Sequence, residues 1–89
     1  MDNVLQLIVL DWIPSQSKVI DFGCGDGALL KILSQQKSII GYGVENDPDK
    51  INACIINGVS VIQQDIDAGI HNYKGMGFDV AVMASSIQC

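Results

Sequence analysis

The stretch VIDFGCGDG, Val19 to Gly27, decides the fold of this 89-residue chain. Its first part belongs to a short apolar run, Lys18 to Phe22, that is bounded by turn residues and predicts a buried parallel strand. Three glycines follow at alternate positions, and a helical pattern begins directly after them. Glycines permit a tight turn and let backbone amide groups approach a ligand closely. The stretch therefore predicts an α/β fold with a binding loop at Gly23–Gly27, which we call the glycine loop.

Helices and strands alternate along the rest of the sequence. Asp47 and Pro48 form an N-cap and first-turn pair, and Gly58 stands where a helix C-terminal cap belongs. The alternation predicts right-handed crossovers and a parallel sheet with helices on its faces. Trp12 is expected to pack against the protein rather than to stack on a ligand. The predicted elements are a helix at Asn3–Trp12, a strand at Lys18–Phe22, a helix from Ala28 that ends within Ser34–Ser38, a strand at Ile39–Glu45, a helix at Pro48–Asn57, a strand at Val59–Gln64, at most a short helix at Ala68–Asn72, and a strand at Phe78–Ala84.

Composition and charge exclude several classes of protein. Hydrophobic residues make up 48% of the chain and charged residues 17%, which is typical of one packed globular domain. The net charge is −5, and the five basic residues, all lysines, are scattered singly, which argues against a nucleic-acid-binding protein. No segment approaches the roughly 18 apolar residues that a membrane helix needs. We therefore expect a soluble domain that binds neither nucleic acid nor a membrane.

The cysteines argue against a disulfide framework and against a metal site. Cys24, Cys54 and Cys89 are an odd number and have no C-x-x-C spacing, so they fit neither a stapled secreted domain nor a zinc site. A reducing, cytoplasmic location is the default expectation. Cys24 is interpreted as a small residue that fits the glycine loop.

Charge decides which cofactor the glycine loop suits. The spacing within Gly23–Ala28 satisfies the loose dinucleotide pattern G-x-G-x-x-A, with Glu45 as the ribose-binding acid, so spacing alone allows NAD. Asp21 precedes the loop and Asp26 lies inside it, and these carboxylates would repel a pyrophosphate. They favour a ligand with an ammonium and a sulfonium, and S-adenosylmethionine carries both. Aspartates also cap helix starts, so a purely capping role for the pair stays open.

VIDFGCGDG resembles the first motif of class I S-adenosylmethionine-dependent methyltransferases, and two later landmarks agree with it. The resemblance implies that Glu45, at the end of the second strand, binds both ribose hydroxyls. It also implies that Asp65, after the third strand, binds the adenine amino group. The cofactor-binding residues expected on this basis are Asp21, Gly23, Cys24, Gly25, Asp26, Gly27, Glu45, Asn46, Asp65 and Ile66.

Three longer runs resemble the methionine biosynthesis protein W (MetW) family along nearly the whole chain. They are DWIPSQSKVIDFGCGDGALL, GYGVENDPDKINACIINGVSVIQQDID and FDVAVMASSIQ. The resemblance implies a Rossmann-like methyltransferase fold with the strand order 3-2-1-4, and a role as partner of a homoserine O-acyltransferase in methionine biosynthesis. Family members are considerably longer. We therefore expect residues 1–89 to be a single truncated domain whose C-terminal half, with the acceptor pocket, is missing.

Three functional hypotheses from different classes remain open at this point. The chain is an S-adenosylmethionine-binding MetW-type module, the N-terminal piece of an ordinary small-molecule methyltransferase, or a structural interaction domain that has lost cofactor binding. The sequence identifies no catalytic residue and no methyl acceptor. Because the fourth strand would be an open apolar edge, it also predicts self-association or pairing with a partner there.

Overall fold

The computed structural model describes residues 12–73 and 75–83. In this part of the chain, strands and helices alternate from β1 to β4. None of the described helices is both long and apolar enough to cross a membrane. The elements are β1 (Lys18–Phe22), α1 (Ala28–Lys37), β2 (Ile40–Glu45), α2 (Pro48–Ile56), β3 (Ser60–Gln63), α3 (Ile66–Tyr73) and β4 (Val80–Val82).

The strands form one parallel sheet in the order β3-β2-β1-β4. Val19 of β1 pairs with Gly41 of β2 and with Val80 of β4, while Tyr42 of β2 pairs with Ser60 of β3. This arrangement confirms the predicted α/β fold and its strand order. Because the carboxyl ends of parallel strands meet at one edge of a sheet, the loops that follow β1, β2 and β3 lie side by side.

Apolar clusters cover both faces of the sheet. The central strand β1 contributes to both, because successive side chains of a strand point to opposite faces. Each fully buried aliphatic side chain contributes roughly 1.5–3 kcal/mol, so the clusters fix the helices against the sheet. One cluster consists of Ile13, Val19, Cys24, Leu29, Leu30, Leu33, Ile39 and Cys54, and the other of Ile20, Phe22 and Val44.

Helix α3 is longer than the sequence predicted. We expected at most a short helix at Ala68–Asn72, whereas α3 begins at Ile66 and ends at Tyr73. Its first and last residues are seven positions apart, so they lie on one face of the helix, and both pack on the second apolar cluster. Packing of this face on the sheet therefore stabilises a helix whose full length the polar, glycine-interrupted sequence does not predict.

Strand β4 is shorter than the strand that the sequence predicts. The backbone N–H of Asp79 donates to Lys18 O at 2.8 Å, but regular pairing starts only at Val80. Phe78 packs instead on Tyr42, with the ring centroids 5.8 Å apart and the planes at 82°. The predicted end of this strand, at residue 84, and the predicted helix at residues 3–11 lie outside the described residues.

The expectation that Trp12 packs against the protein is wrong in the structure. Its side chain is 77% exposed, whereas the neighbouring Ile13 is only 2% exposed and joins the first apolar cluster. The aliphatic residue of this pair therefore takes the buried position, and the tryptophan side chain lies at the surface of the described residues.

Candidate functional site

The glycine loop connects β1 to α1 at the carboxyl edge of the sheet. Gly23, Gly25 and Gly27 have φ values of 75°, 61° and 81°, all in the left-handed region. A residue with a Cβ atom is disfavoured there by roughly 1–2 kcal/mol. The alternate glycines noticed in the sequence therefore allow the chain to turn back on itself between the strand and the helix.

Glu45, the last residue of β2, joins its strand to this loop. Its Oε1 accepts a hydrogen bond from the backbone N–H of Gly25 at 2.9 Å. Its Oε2 accepts from the backbone N–H groups of Asn46 and Asp47, each at 3.0 Å. A carboxylate has about four lone-pair sites, so these three bonds leave one site, on Oε1, and the side chain is half-buried. The two predicted landmarks, loop and acid, are thus in direct contact.

The start of the loop is also bonded to β2, while one side of it is open. The backbone N–H groups of Gly23 and Cys24 both donate to Val44 O, at 2.7 and 3.2 Å. A Cβ atom added to Gly25 would meet no other atom within 4 Å. The loop is therefore fixed on the strand side and leaves space beside Gly25 where a ligand could reach the backbone.

Helix α2 holds the loop from another direction. The Cys54 thiol donates to Gly25 O at 3.0 Å, and the Asn57 amide Nδ2 donates to Asp26 O at 3.0 Å. Neither contact was predicted. Cys54 and Asn57 are three residues apart, a spacing that puts side chains on one helix face, but nothing in the sequence shows that this face meets the glycine loop.

The two aspartates near the loop have different surroundings. Asp21 lies within β1 and is only 2% exposed. Asp26 is exposed, and its Oδ1 accepts a hydrogen bond from the backbone N–H of Ala28 at 3.0 Å. Asp26 therefore caps the first turn of α1 while its charge stays at the surface beside the glycine loop, so the capping role and an electrostatic role are compatible.

The remaining predicted site residues follow β2 and β3 at the same edge. Asn46 and Asp65 are exposed, and the backbone N–H of Gln64 donates to Glu45 O at 3.0 Å, which ties the end of β3 to Glu45. Ile66 is half-buried and packs against the second apolar cluster. The fold thus gathers the predicted residues at one edge of the sheet, and their contact with a ligand stays a prediction.

Cys24 and Cys54 form a pair of buried thiols behind the loop. Their Sγ atoms are 3.7 Å apart, and their exposed fractions are 5% and 0%. Burial raises the pKa of both thiols, and for Cys24 the proximity of Cys54 raises the pKa further. Both are therefore neutral near pH 7 and poor nucleophiles. Within residues 12–73 and 75–83, no group of three metal-binding side chains is close enough to hold a metal ion.

The raised thiol pKa values predict a loss of stability in alkali. Below about pH 8 both thiols are mostly protonated in the folded and in the unfolded chain. Above that pH the unfolded chain loses protons that the folded chain retains, so the free energy of unfolding falls as the pH rises, by up to about 1 kcal/mol per pH unit for Cys24. Urea unfolding at pH 8 and pH 10 measures this fall. The Cys24→Ala variant should lose about 1 kcal/mol less over this interval, and an equal loss would contradict the prediction.

Comparisons with known proteins agree with this architecture. The family model described as "Methionine biosynthesis protein MetW" matches residues 4–89. A curated relative, the bifunctional methionine biosynthesis protein MetXA/MetW of Rhodopirellula baltica, is 29% identical over 94 aligned positions. The alignment covers 97% of this chain but only 15% of the relative, so the chain spans a small part of that protein.

Two solved structures that share this fold are named as methyltransferases. An S-adenosylmethionine-dependent methyltransferase from Geobacter sulfurreducens, in complex with S-adenosyl-L-homocysteine, matches with a TM-score of 0.64 at 17% identity, over 73% of this chain and 30% of its own. One from Archaeoglobus fulgidus matches with a TM-score of 0.58 at 26% identity, over 80% of this chain and 31% of its own. The described residues therefore have the fold of about a third of such an enzyme.

Proposed function

Because the chain belongs to the methionine biosynthesis protein MetW family, we propose that it binds S-adenosylmethionine at the glycine loop and assists a homoserine O-acyltransferase in methionine biosynthesis. The hydrogen bond from Gly25 to Glu45 is the observation that carries the cofactor proposal. This bond holds the glycine loop beside the carboxylate that would accept from the ribose hydroxyls.

The residues present fit this cofactor. The space beside Gly25 lets a ligand contact the loop backbone. Oε1 of Glu45 has a lone-pair site left for one ribose hydroxyl, and the second hydroxyl would share Oε2 with the backbone N–H groups of Asn46 and Asp47. The exposed Asp65 follows the neighbouring strand, where it could accept from the adenine amino group. The exposed charge of Asp26 suits a cationic sulfonium and opposes a pyrophosphate. When bound, S-adenosylmethionine supplies an electrophilic methyl group.

The partner proposal is supported by the name of the curated relative. That protein is called bifunctional and joins a MetXA part to a MetW part in one polypeptide. Because the MetXA and MetW parts belong to one polypeptide in that organism, they are always present together. This supports the proposal that the present chain acts together with a separate acyltransferase. The open edge of the sheet at β4, which pairs only with β1 within the described residues, offers one surface where a partner or a second copy could add.

Isothermal titration of the chain with S-adenosylmethionine tests the cofactor proposal. We expect saturable heat with S-adenosylmethionine and none with NADH, because the acidic loop disfavours a pyrophosphate. A folded sample, checked by circular dichroism, that gives no heat with S-adenosylmethionine would contradict cofactor binding and would favour a structural interaction domain.

A homoserine acylation assay tests the partner proposal separately. Adding the chain to a homoserine O-acyltransferase from the same organism should raise the rate of acylation. If the chain binds S-adenosylmethionine but leaves the acylation rate unchanged, the alternative of a piece of an ordinary small-molecule methyltransferase is favoured instead.

A further inference from the structure

Helix α2 and its C-cap residue Asn57 make two side-chain hydrogen bonds to the glycine loop, and neither bond belongs to the proposed cofactor contacts. Cys54 donates to the carbonyl oxygen of Gly25, and Asn57 donates to the carbonyl oxygen of Asp26, both at 3.0 Å. These are successive carbonyl groups of the loop. Because Cys54 lies in the last turn of α2 and Asn57 is its C-cap residue, three positions later, the C-terminal end of one helix holds both of them.

These two bonds fix the orientation of the loop's peptide groups. In a trans peptide the C=O and the following N–H point in opposite directions. Holding Gly25 O against α2 therefore turns the N–H of Asp26 away from α2. The N–H of Gly25 is fixed in turn by Glu45 Oε1. The peptide groups on both sides of Gly25 are thus held by different elements, β2 and α2.

A loop with this composition would otherwise be mobile. Three of its five residues are glycines in the left-handed region, and glycine loses more conformational freedom on ordering than any other residue. If the loop were ordered only on binding, the ligand would bear that entropic cost and its affinity would fall. Contacts that order the loop beforehand remove this cost.

We propose that Cys54 and Asn57 are positioning residues for the cofactor. By holding the carbonyl groups of Gly25 and Asp26 against α2, they keep the glycine loop in its binding conformation before S-adenosylmethionine arrives. This inference rests on the proposed function. It assigns to the buried thiol of Cys54 a role as hydrogen-bond donor, which is consistent with its protonated state and its complete burial.

Titration of variants with S-adenosylmethionine tests the proposal, with a thermal melt of each variant as the second readout. Asn57→Ala and Cys54→Ala should each weaken binding by about tenfold, in line with the loss of one hydrogen bond. Cys54→Ser retains a donor and should restore most of the affinity. Because Cys54 is fully buried and Asn57 only half-buried, Asn57→Ala keeps the test decisive if the Cys54→Ala variant does not fold.

Two control variants on α2 separate positioning from helix stability. Asn52→Ala removes the same kind of side chain from an exposed position and should leave the affinity unchanged. Ala53→Gly lowers the melting temperature by weakening the helix, and it should change affinity far less than Asn57→Ala does.

The outcomes distinguish this inference from the proposed function. If the unchanged chain binds and Asn57→Ala binds equally well, the inference is overturned and cofactor binding stands. If Ala53→Gly loses as much affinity as Asn57→Ala, helix stability explains the effect and positioning is overturned. Binding by Cys54→Ser as weak as that of Cys54→Ala would overturn the donor role of Cys54. An unchanged chain that does not bind S-adenosylmethionine would overturn both proposals.

Discussion

Replacing Glu45 by alanine is expected to raise the dissociation constant for S-adenosylmethionine at least about 100-fold. Hydrogen bonds to a charged acceptor contribute roughly 1.5–3 kcal/mol each, and the ribose would lose its bond to Oε1 and the shared bond to Oε2. The substitution also releases the backbone N–H groups of Gly25, Asn46 and Asp47, which the carboxylate now holds. The loop would separate from β2 at the point where the ligand is proposed to bind. Isothermal titration measures the change.

Two further variants show whether the effect belongs to this carboxylate. Glu45→Gln keeps the length of the side chain and one acceptor oxygen, so its affinity should lie between those of the unchanged chain and Glu45→Ala. Asp49→Ala removes one negative charge from the exposed first turn of α2 and should bind within about twofold of the unchanged chain, since surface charges are screened. Binding by Glu45→Ala within threefold of the unchanged chain would contradict the proposed ribose contact.

Much of the fold could be predicted from the sequence because its hydrophobic pattern and its turn residues agree. β1 has the predicted bounds, and Asp47 caps α2 as expected, with its side chain accepting from the backbone N–H of Asp49 at 2.9 Å. The length of α3 was underestimated because one face of this helix is stabilised by packing on the sheet, and a local sequence pattern carries no information about such contacts. The length of β4 was overestimated because the apolar run extends beyond the three residues that pair with β1.

The site was predictable only where a local motif marks it. The glycine spacing and Glu45 at the end of a strand are local signals, and the parallel sheet brings both to one edge. The hydrogen bonds from α2 depend on how that helix lies over the loop, so nothing distinguishes Cys54 in the sequence from an ordinary core cysteine. The sequence likewise treats Asp21 and Asp26 alike, although one is buried in β1 and the other is exposed at the start of α1.

Replacing Gly43 by alanine is expected to destabilise the protein by about 3 kcal/mol, at the upper end of the usual cost of overpacking a core. An added Cβ atom would lie 2.9 Å from the Cβ of Cys24 and closer still to its Sγ. The backbone at Cys24 cannot move away freely, because its N–H donates to Val44 O on the same strand. Urea unfolding at pH 7 measures the loss, and titration should show weaker cofactor binding because Cys24 belongs to the glycine loop.

Gly41 provides a matched control on the same strand. A Cβ atom there would meet Ile39 Cδ1 at 2.9 Å and Leu30 Cδ2 at 3.0 Å, which are the ends of flexible side chains. These methyl groups can shift, so Gly41→Ala should cost only about 1 kcal/mol, at the lower end of the same range. Equal costs at the two positions would mean that general crowding of β2, rather than the contact with Cys24, explains the result.

The clash between Gly43→Ala and Cys24 also predicts a compensating substitution. Cys24→Gly removes the two atoms that would clash with the new Cβ, at a cost of its own for the added backbone freedom. In that background Gly43→Ala should cost about 2 kcal/mol less than in the unchanged chain, which is a coupling typical of residues in direct contact. If the cost is the same in both backgrounds, the cysteine is not what excludes a side chain at Gly43. A measured coupling would instead explain why a small residue stands between two glycines of the loop: its side chain fills the space that the missing side chain of Gly43 leaves, and this packing fixes the distance between the loop and β2.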